Sequence, residues 1–151
     1  MHPDAYAPAS IGRPSPLIEV AFETTRTVVD MLYVDVFRRY PKIRWVIAHC
    51  GGALPVLFGR LKSLGTEPWV PNPNNITQDE IREGLASLYL DIVATASTGM
   101  APALHMVSAD HLVYGADCDV PCSTKHTMEA NKKEALEFEG FEQRSAPSYR
   151  S

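Results

Sequence analysis

The stretch VIAHCGG, residues 46 to 52, carries an apolar run into an imidazole and then two glycines. A strand ending at His49 would deliver that imidazole to its carboxyl edge, where parallel α/β proteins gather their chemistry. Of two other strand-like segments, one carries Asp91 in YLDIV and one ends in Asp117 in LVYGAD, and His2 stands near the start of the chain. Histidine and aspartate brought repeatedly to one edge suit a divalent-metal site or an acid–base site, because residues distant in sequence converge there. Singly, each has a plainer reading: a strand-end histidine as a hydrogen-bonded edge residue, and Asp91 or Asp117 as a cap or turn former. His2 and Asp117 could be metal ligands, although two protein ligands fall short of the three that catalytic zinc usually has. Gly51 and Gly52 read as backbone clearance, since the GxGxxG spacing and the lysine of a phosphate loop are absent. His105, His111 and His126 have no partner at ligand spacing and read as structural.

The elements that must position these groups follow from periodicity. Ser15 and Pro16 resemble a helix start, and apolar residues from Leu17 to Tyr40 recur at three-to-four spacing until Pro41. A strand is expected over Ile43 to Ala48, then a helix over Ala53 to Leu64 ended by Gly65. After the proline-rich loop 66 to 75, Thr77 and Glu80 form a capping box that opens a helix to about Leu85. Strands over Leu88 to Val93 and His111 to Gly115 flank a short helix from Gly99 to Val107, and a last helix covers Thr124 to Phe138. Residues 139 to 151 are polar and expected to be loose. Strands alternating with helices imply a parallel sheet, but three are too few for a doubly wound domain covered on both faces.

Composition narrows the class. The chain has 151 residues, 45% hydrophobic and 21% charged, enough apolar material for the core of one globular domain. A net charge of −4, with both signs scattered, leaves no basic face for nucleic acid. No apolar stretch is long enough to span a bilayer, and the N-terminus lacks the basic and apolar regions of a secretory signal, so a cytoplasmic location is expected. Three cysteines, Cys50, Cys118 and Cys122, fit free thiols better than a disulfide framework, and Cys118 and Cys122, lacking the second pair of a zinc knuckle, read as packing residues.

Taken in order, HP (2 to 3), ETTR (23 to 26), RYPKIRWVIAHCGGALPVLFGRL (39 to 61), LYLD (88 to 91) and HLVYGAD (111 to 117) resemble the carboxyl-terminal half of the amidohydrolase-related metal-dependent decarboxylases. Those include the aminocarboxymuconate semialdehyde, hydroxybenzoate and fungal 6-methylsalicylate decarboxylases, and the resemblance is strongest to the last group. It implies an α/β fold forming the carboxyl-terminal half of a (β/α)8 barrel, with about three to four parallel strands, over a domain of residues 1–138 followed by the tail 139–151. It further implies one divalent metal, zinc or else manganese, with no organic cofactor, and a homodimer in the full-length family. In that frame His2 and Asp117 are metal ligands, and His49 and Asp117 are catalytic. Arg60 looks like the arginine that in some relatives reaches a neighbouring subunit's site and pairs with a substrate carboxylate; alternatively it is a surface ion-pair residue.

Two departures stand out. No HxH or ExH strand occurs in the chain, and a whole barrel takes about 250 residues. The usual GxDxP ending is also stretched: Cys118, Asp119 and Val120 intervene between Asp117 and Pro121, so Asp119 competes with Asp117 for the place facing the metal. The expected activity is non-oxidative loss of carbon dioxide from a small aromatic or unsaturated carboxylic acid. The same groups could instead activate water for hydrolysis, or the chain could be an inactive remnant or a half-barrel that needs a separate amino-terminal half.

Overall fold

The computed structural model describes residues 12–93, 95–118, 120 and 123–141. Three short parallel strands, β1 (Val46–Ile47), β2 (Tyr89–Asp91) and β3 (Leu112–Val113), lie side by side in chain order. Val46 pairs with Tyr89 and Ile47 with Leu90, while Leu90 and Asp91 pair with Leu112 and Val113. A strand order that never reverses, with helices in each crossover, is the arrangement of a barrel wall.

Helix α1 (Glu19–Tyr33) and the single turn α2 (Val36–Arg39) precede the sheet; α3 (Leu54–Leu64) and α4 (Gln78–Ala86) join β1 to β2. Helix α5 (Ala96–Ala103) joins β2 to β3, and α6 (Lys125–Glu137) follows. The alternation of side chains along each strand sorts the sheet into two faces. Ile47 and Leu90 turn to the helices and pack with Val28, Leu32, Leu54, Ile81, Leu85 and Met100 in one core cluster. Burying each large aliphatic side chain contributes about 1.5–3 kcal/mol before entropy is charged against it. On the other face Val46 is 59% exposed, against 0% for Leu90 one pleat away. The sheet therefore has one dry face and one open face.

The capping box expected at α4 is present: the Thr77 N–H donates to Glu80 Oε2 at 2.8 Å, and the Glu80 N–H donates to Thr77 Oγ1 at 3.2 Å. Helix α6 also matches its expected span, with Thr124 as its cap. The first helix does not run unbroken from Leu17 to Tyr40. Ser15–Leu17 form a separate 3-10 turn with no side-chain cap, and Ile18 at φ −136° interrupts the chain before α1. Asp35, at φ 69°, divides α1 from α2, a left-handed conformation that a short polar side chain tolerates. Gly65 does end α3, but at a right-handed φ of −65°. Its missing side chain instead leaves room for the Leu61 carbonyl, Ile81 Cδ1 and Tyr33 Oη. Helix α5 begins three residues ahead of Gly99, which is inside it packed against Thr95. Among the described residues no helix is long and apolar enough to cross a membrane.

Candidate functional site

The site grows from the end of β1. After Ile47 the backbone makes a left-handed turn over His49–Gly51, closed by N–H donation from Gly51 to the Ala48 carbonyl at 3.0 Å and from Gly52 to the His49 carbonyl at 2.8 Å. His49 and Cys50 both have φ 54°, and Gly51 and Gly52 have φ 75° and 62°. For a side chain larger than glycine that conformation costs about 1–2 kcal/mol per residue, so His49 and Cys50 must be held there by their surroundings. The glycine pair gives the clearance expected of it: a Cβ on Gly52 would strike the Ala21 carbonyl and approach Thr25 Oγ1 to 2.7 Å.

Two polar side chains hold the turn. Asp91, at the end of β2, accepts the His49 N–H at 2.9 Å and the Val93 N–H at 3.2 Å on the same Oδ1. Thr25, a buried hydroxyl on α1, accepts the Ala53 N–H at 2.8 Å and lies 2.9 Å from the Ala21 carbonyl and 3.5 Å from that of Gly51. Sequence reasoning left Asp91 open as a cap or turn former and assigned Thr25 nothing. A signal for Thr25 was the ETTR segment, because threonine inside a helix often back-bonds one turn earlier.

A cavity of about 690 Å³ opens beside this edge, within the size range of small-molecule sites. Leu17, Val20 and Met128 are among its apolar lining residues, and His49, Asp117 and Asn131 are among its polar ones. His49 Nδ1 is buried and has no hydrogen-bond partner among the described residues. Leaving such an atom unsatisfied costs about 1–3 kcal/mol, which a ligand group or water entering the cavity would recover. Asp117, itself at φ 53°, lines the cavity from the segment after β3. Burial pushes the Asp91 carboxyl above its ordinary range, partly offset by the Val93 and His49 amides, and the neighbouring Asp117 adds a smaller upward push. Burial also raises the Cys50 thiol, to about 11, with the Asp91 charge second and the Thr95 hydrogen bond opposing. Cys50 is thus an inert packing thiol.

The structure brings His49 and Asp117 to one cavity. Arg60 is on the exposed side of α3, outside the cavity lining and without an ion pair among the described residues. His2, Asp119 and Cys122 lie outside the described residues. His111 is structural as expected: Nδ1 is 3.0 Å from the Leu88 carbonyl and the ring stacks on Tyr89 at 4.2 Å. Cys118 is exposed, not packed inside, and its thiol lies 3.7 Å from the Met128 sulfur.

Imidazole nitrogen and carboxylate oxygen are suitable donor types for a divalent metal, but the described donor set is short. Among the described residues no three His, Cys, Asp or Glu side chains gather as a metal would require. The Asp91 oxygen nearest His49 is committed to two amides. These residues do not by themselves fit a complete catalytic metal centre.

Known proteins extend this geometry. The chain is 29% identical over 108 residues to decarboxylase macB of Penicillium terrestre, covering 69% of this chain and 31% of that protein. It is 27% identical over 105 residues to the 6-methylsalicylic acid decarboxylase of Penicillium expansum, covering 69% of this chain and 32% of that one. The chain thus spans about a third of the length of these curated relatives. The crystal structure of Metarhizium anisopliae IDCase in apo form superposes with a TM-score of 0.63 at 26% identity, covering 91% of this chain and 40% of that one. The three-stranded parallel wall with its helices is accordingly the carboxyl-terminal half of a (β/α)8 barrel. With the family profile described as amidohydrolase matching residues 19–139, the chain belongs to the amidohydrolase family.

Proposed function

We propose that this chain supplies the carboxyl-terminal half of the active site of a metal-dependent, non-oxidative decarboxylase acting on a small aromatic acid of the 6-methylsalicylate kind. The observation that carries this reading is that His49 and Asp117 line one cavity, in a largely apolar surround. Apolar lining residues suit a ring, and the polar ones suit its carboxylate and an ortho oxygen. The decarboxylase names of the curated relatives support this choice of reaction.

Non-oxidative decarboxylation needs a proton on the ring carbon that bears the carboxylate. In its acid form Asp117 gives that proton to the carbon; the carbon–carboxylate bond then breaks, its electron pair restores the aromatic ring, and carbon dioxide leaves. His49 hydrogen-bonds the substrate oxygens and holds the ring in place for the transfer. Arg60, exposed on α3, pairs with a substrate carboxylate in a neighbouring subunit. His2 joins Asp117 as a metal ligand in this reading, and the remaining ligands come from outside the described residues.

The test is carbon dioxide release from 6-methylsalicylate and related acids, with His49→Asn and Asp117→Asn as controls. A loss of about 100-fold or more is expected for Asp117→Asn, the scale of general acid catalysis. Hydrolysis remains the competing reading, because the same groups could position a water molecule, and product identity separates the two.

A further inference from the structure

We propose that Thr25 is a positioning residue for His49, a hydroxyl clamp through which α1 holds the left-handed turn in its working form; this rests on His49 being the working imidazole. The turn has four consecutive residues at positive φ, two of which are not glycine, so it does not hold its shape by local preference. Its amino-terminal end is tied by Asp91 to the His49 N–H at 2.9 Å. Its carboxyl-terminal end, the Ala53 N–H, is tied, among the described residues, to Thr25 Oγ1 alone, at 2.8 Å.

Thr25 is 5% exposed, and its environment is specific to a hydroxyl. Oγ1 accepts from Ala53 while its own proton goes back to the Ala21 carbonyl at 2.9 Å, so donor and acceptor capacities are both used. Gly52 fits into the same corner, where a Cβ would run into Ala21 and Thr25. The close approach of α1 to the turn and the absence of a side chain at Gly52 are therefore two halves of one contact. A methyl in place of the hydroxyl keeps the shape and strands the Ala53 amide, freeing the turn to relax and the His49 ring to swing.

The experiment compares the wild-type chain with Thr25→Val and Thr25→Ser by amide hydrogen exchange and by the ring 15N shifts of His49 at one fixed pH, without substrate. In Thr25→Val the Ala53 and Gly52 amides should exchange about tenfold faster or more, while Ile81 and Leu85 in α4 stay unchanged. The His49 ring shifts should move in the same variant, and Thr25→Ser should restore both. Wild-type-like exchange and ring shifts in Thr25→Val would overturn the clamp. If Thr25→Val does not fold, the wild-type chain and Thr25→Ser still decide: an Ala53 amide exchanging as fast as a free loop amide in the wild type, or losing its protection in Thr25→Ser, overturns the clamp, and an amide protected in both supports it. None of these readings uses turnover, so failure to release carbon dioxide refutes the functional reading and leaves the clamp measurement standing.

Discussion

Asp91 and His49 are joined through backbone and not through the imidazole: the His49 N–H donates to Asp91 Oδ1 at 2.9 Å, linking the ends of two adjacent parallel strands. The same oxygen accepts from Val93 at 3.2 Å, so one carboxylate fixes the exits of both β1 and β2. Asp91→Ala strands both amides and should lower stability by about 1–3 kcal/mol, while Asp91→Asn, which keeps an acceptor oxygen, should lose less. Urea unfolding of the two variants checks this, and equal loss in both would speak against the amide anchor.

Glu80 gives the pH dependence. The Thr77 N–H, Arg38 and the Thr77 hydroxyl hold its carboxyl down to about 2, against an ordinary value of 4.5. A depressed folded value means that the contribution is complete above about 4.5 and disappears as pH falls through about 2. Glu80→Gln should therefore narrow its stability gap to the wild type across that window. Parallel stability curves for the two proteins from pH 6 to about 2 would contradict the assignment.

The α4 box was legible because both partners are three residues apart, so sequence spacing is already the contact. The alternation of strands and helices was legible for a similar reason. Strand lengths were not: only two or three residues of each apolar run, such as Val46–Ile47 within 43 to 48, enter the ladder, and pairing is decided by neighbours far away in sequence. Asp35 shows the limit of periodicity, which runs straight through a left-handed residue. At the site, His49 and Asp117 stood out because residue type and strand-end position coincide. Thr25 did not, since its partner Ala53 is a backbone amide 28 residues away that no side-chain pattern marks.

The open sheet face predicts association. Val46 on β1 is 59% exposed and β1 and β3 are both edge strands of the described sheet, a surface suited to a second copy of this chain. Light scattering of the isolated chain should show a concentration-dependent dimer or larger species. Val46→Lys should shift it toward monomer without loss of helical signal; a clean monomer in the unaltered chain would count against this.

Metal content tests the shortfall of donors. With no three donor side chains gathered among the described residues, the purified 151-residue chain should keep well under one zinc per molecule after dialysis. Elemental analysis finding one tightly held metal per chain would refute it.

The most direct test of the central claim is product analysis on 6-methylsalicylate and related acids, with zinc supplied and an amino-terminal half-barrel of the family added in trans. The account predicts carbon dioxide and the decarboxylated phenol in equal amounts, abolished by Asp117→Asn and strongly reduced by His49→Asn. An amine or alcohol released from an amide or ester substrate, with no carbon dioxide from any acid, would contradict it.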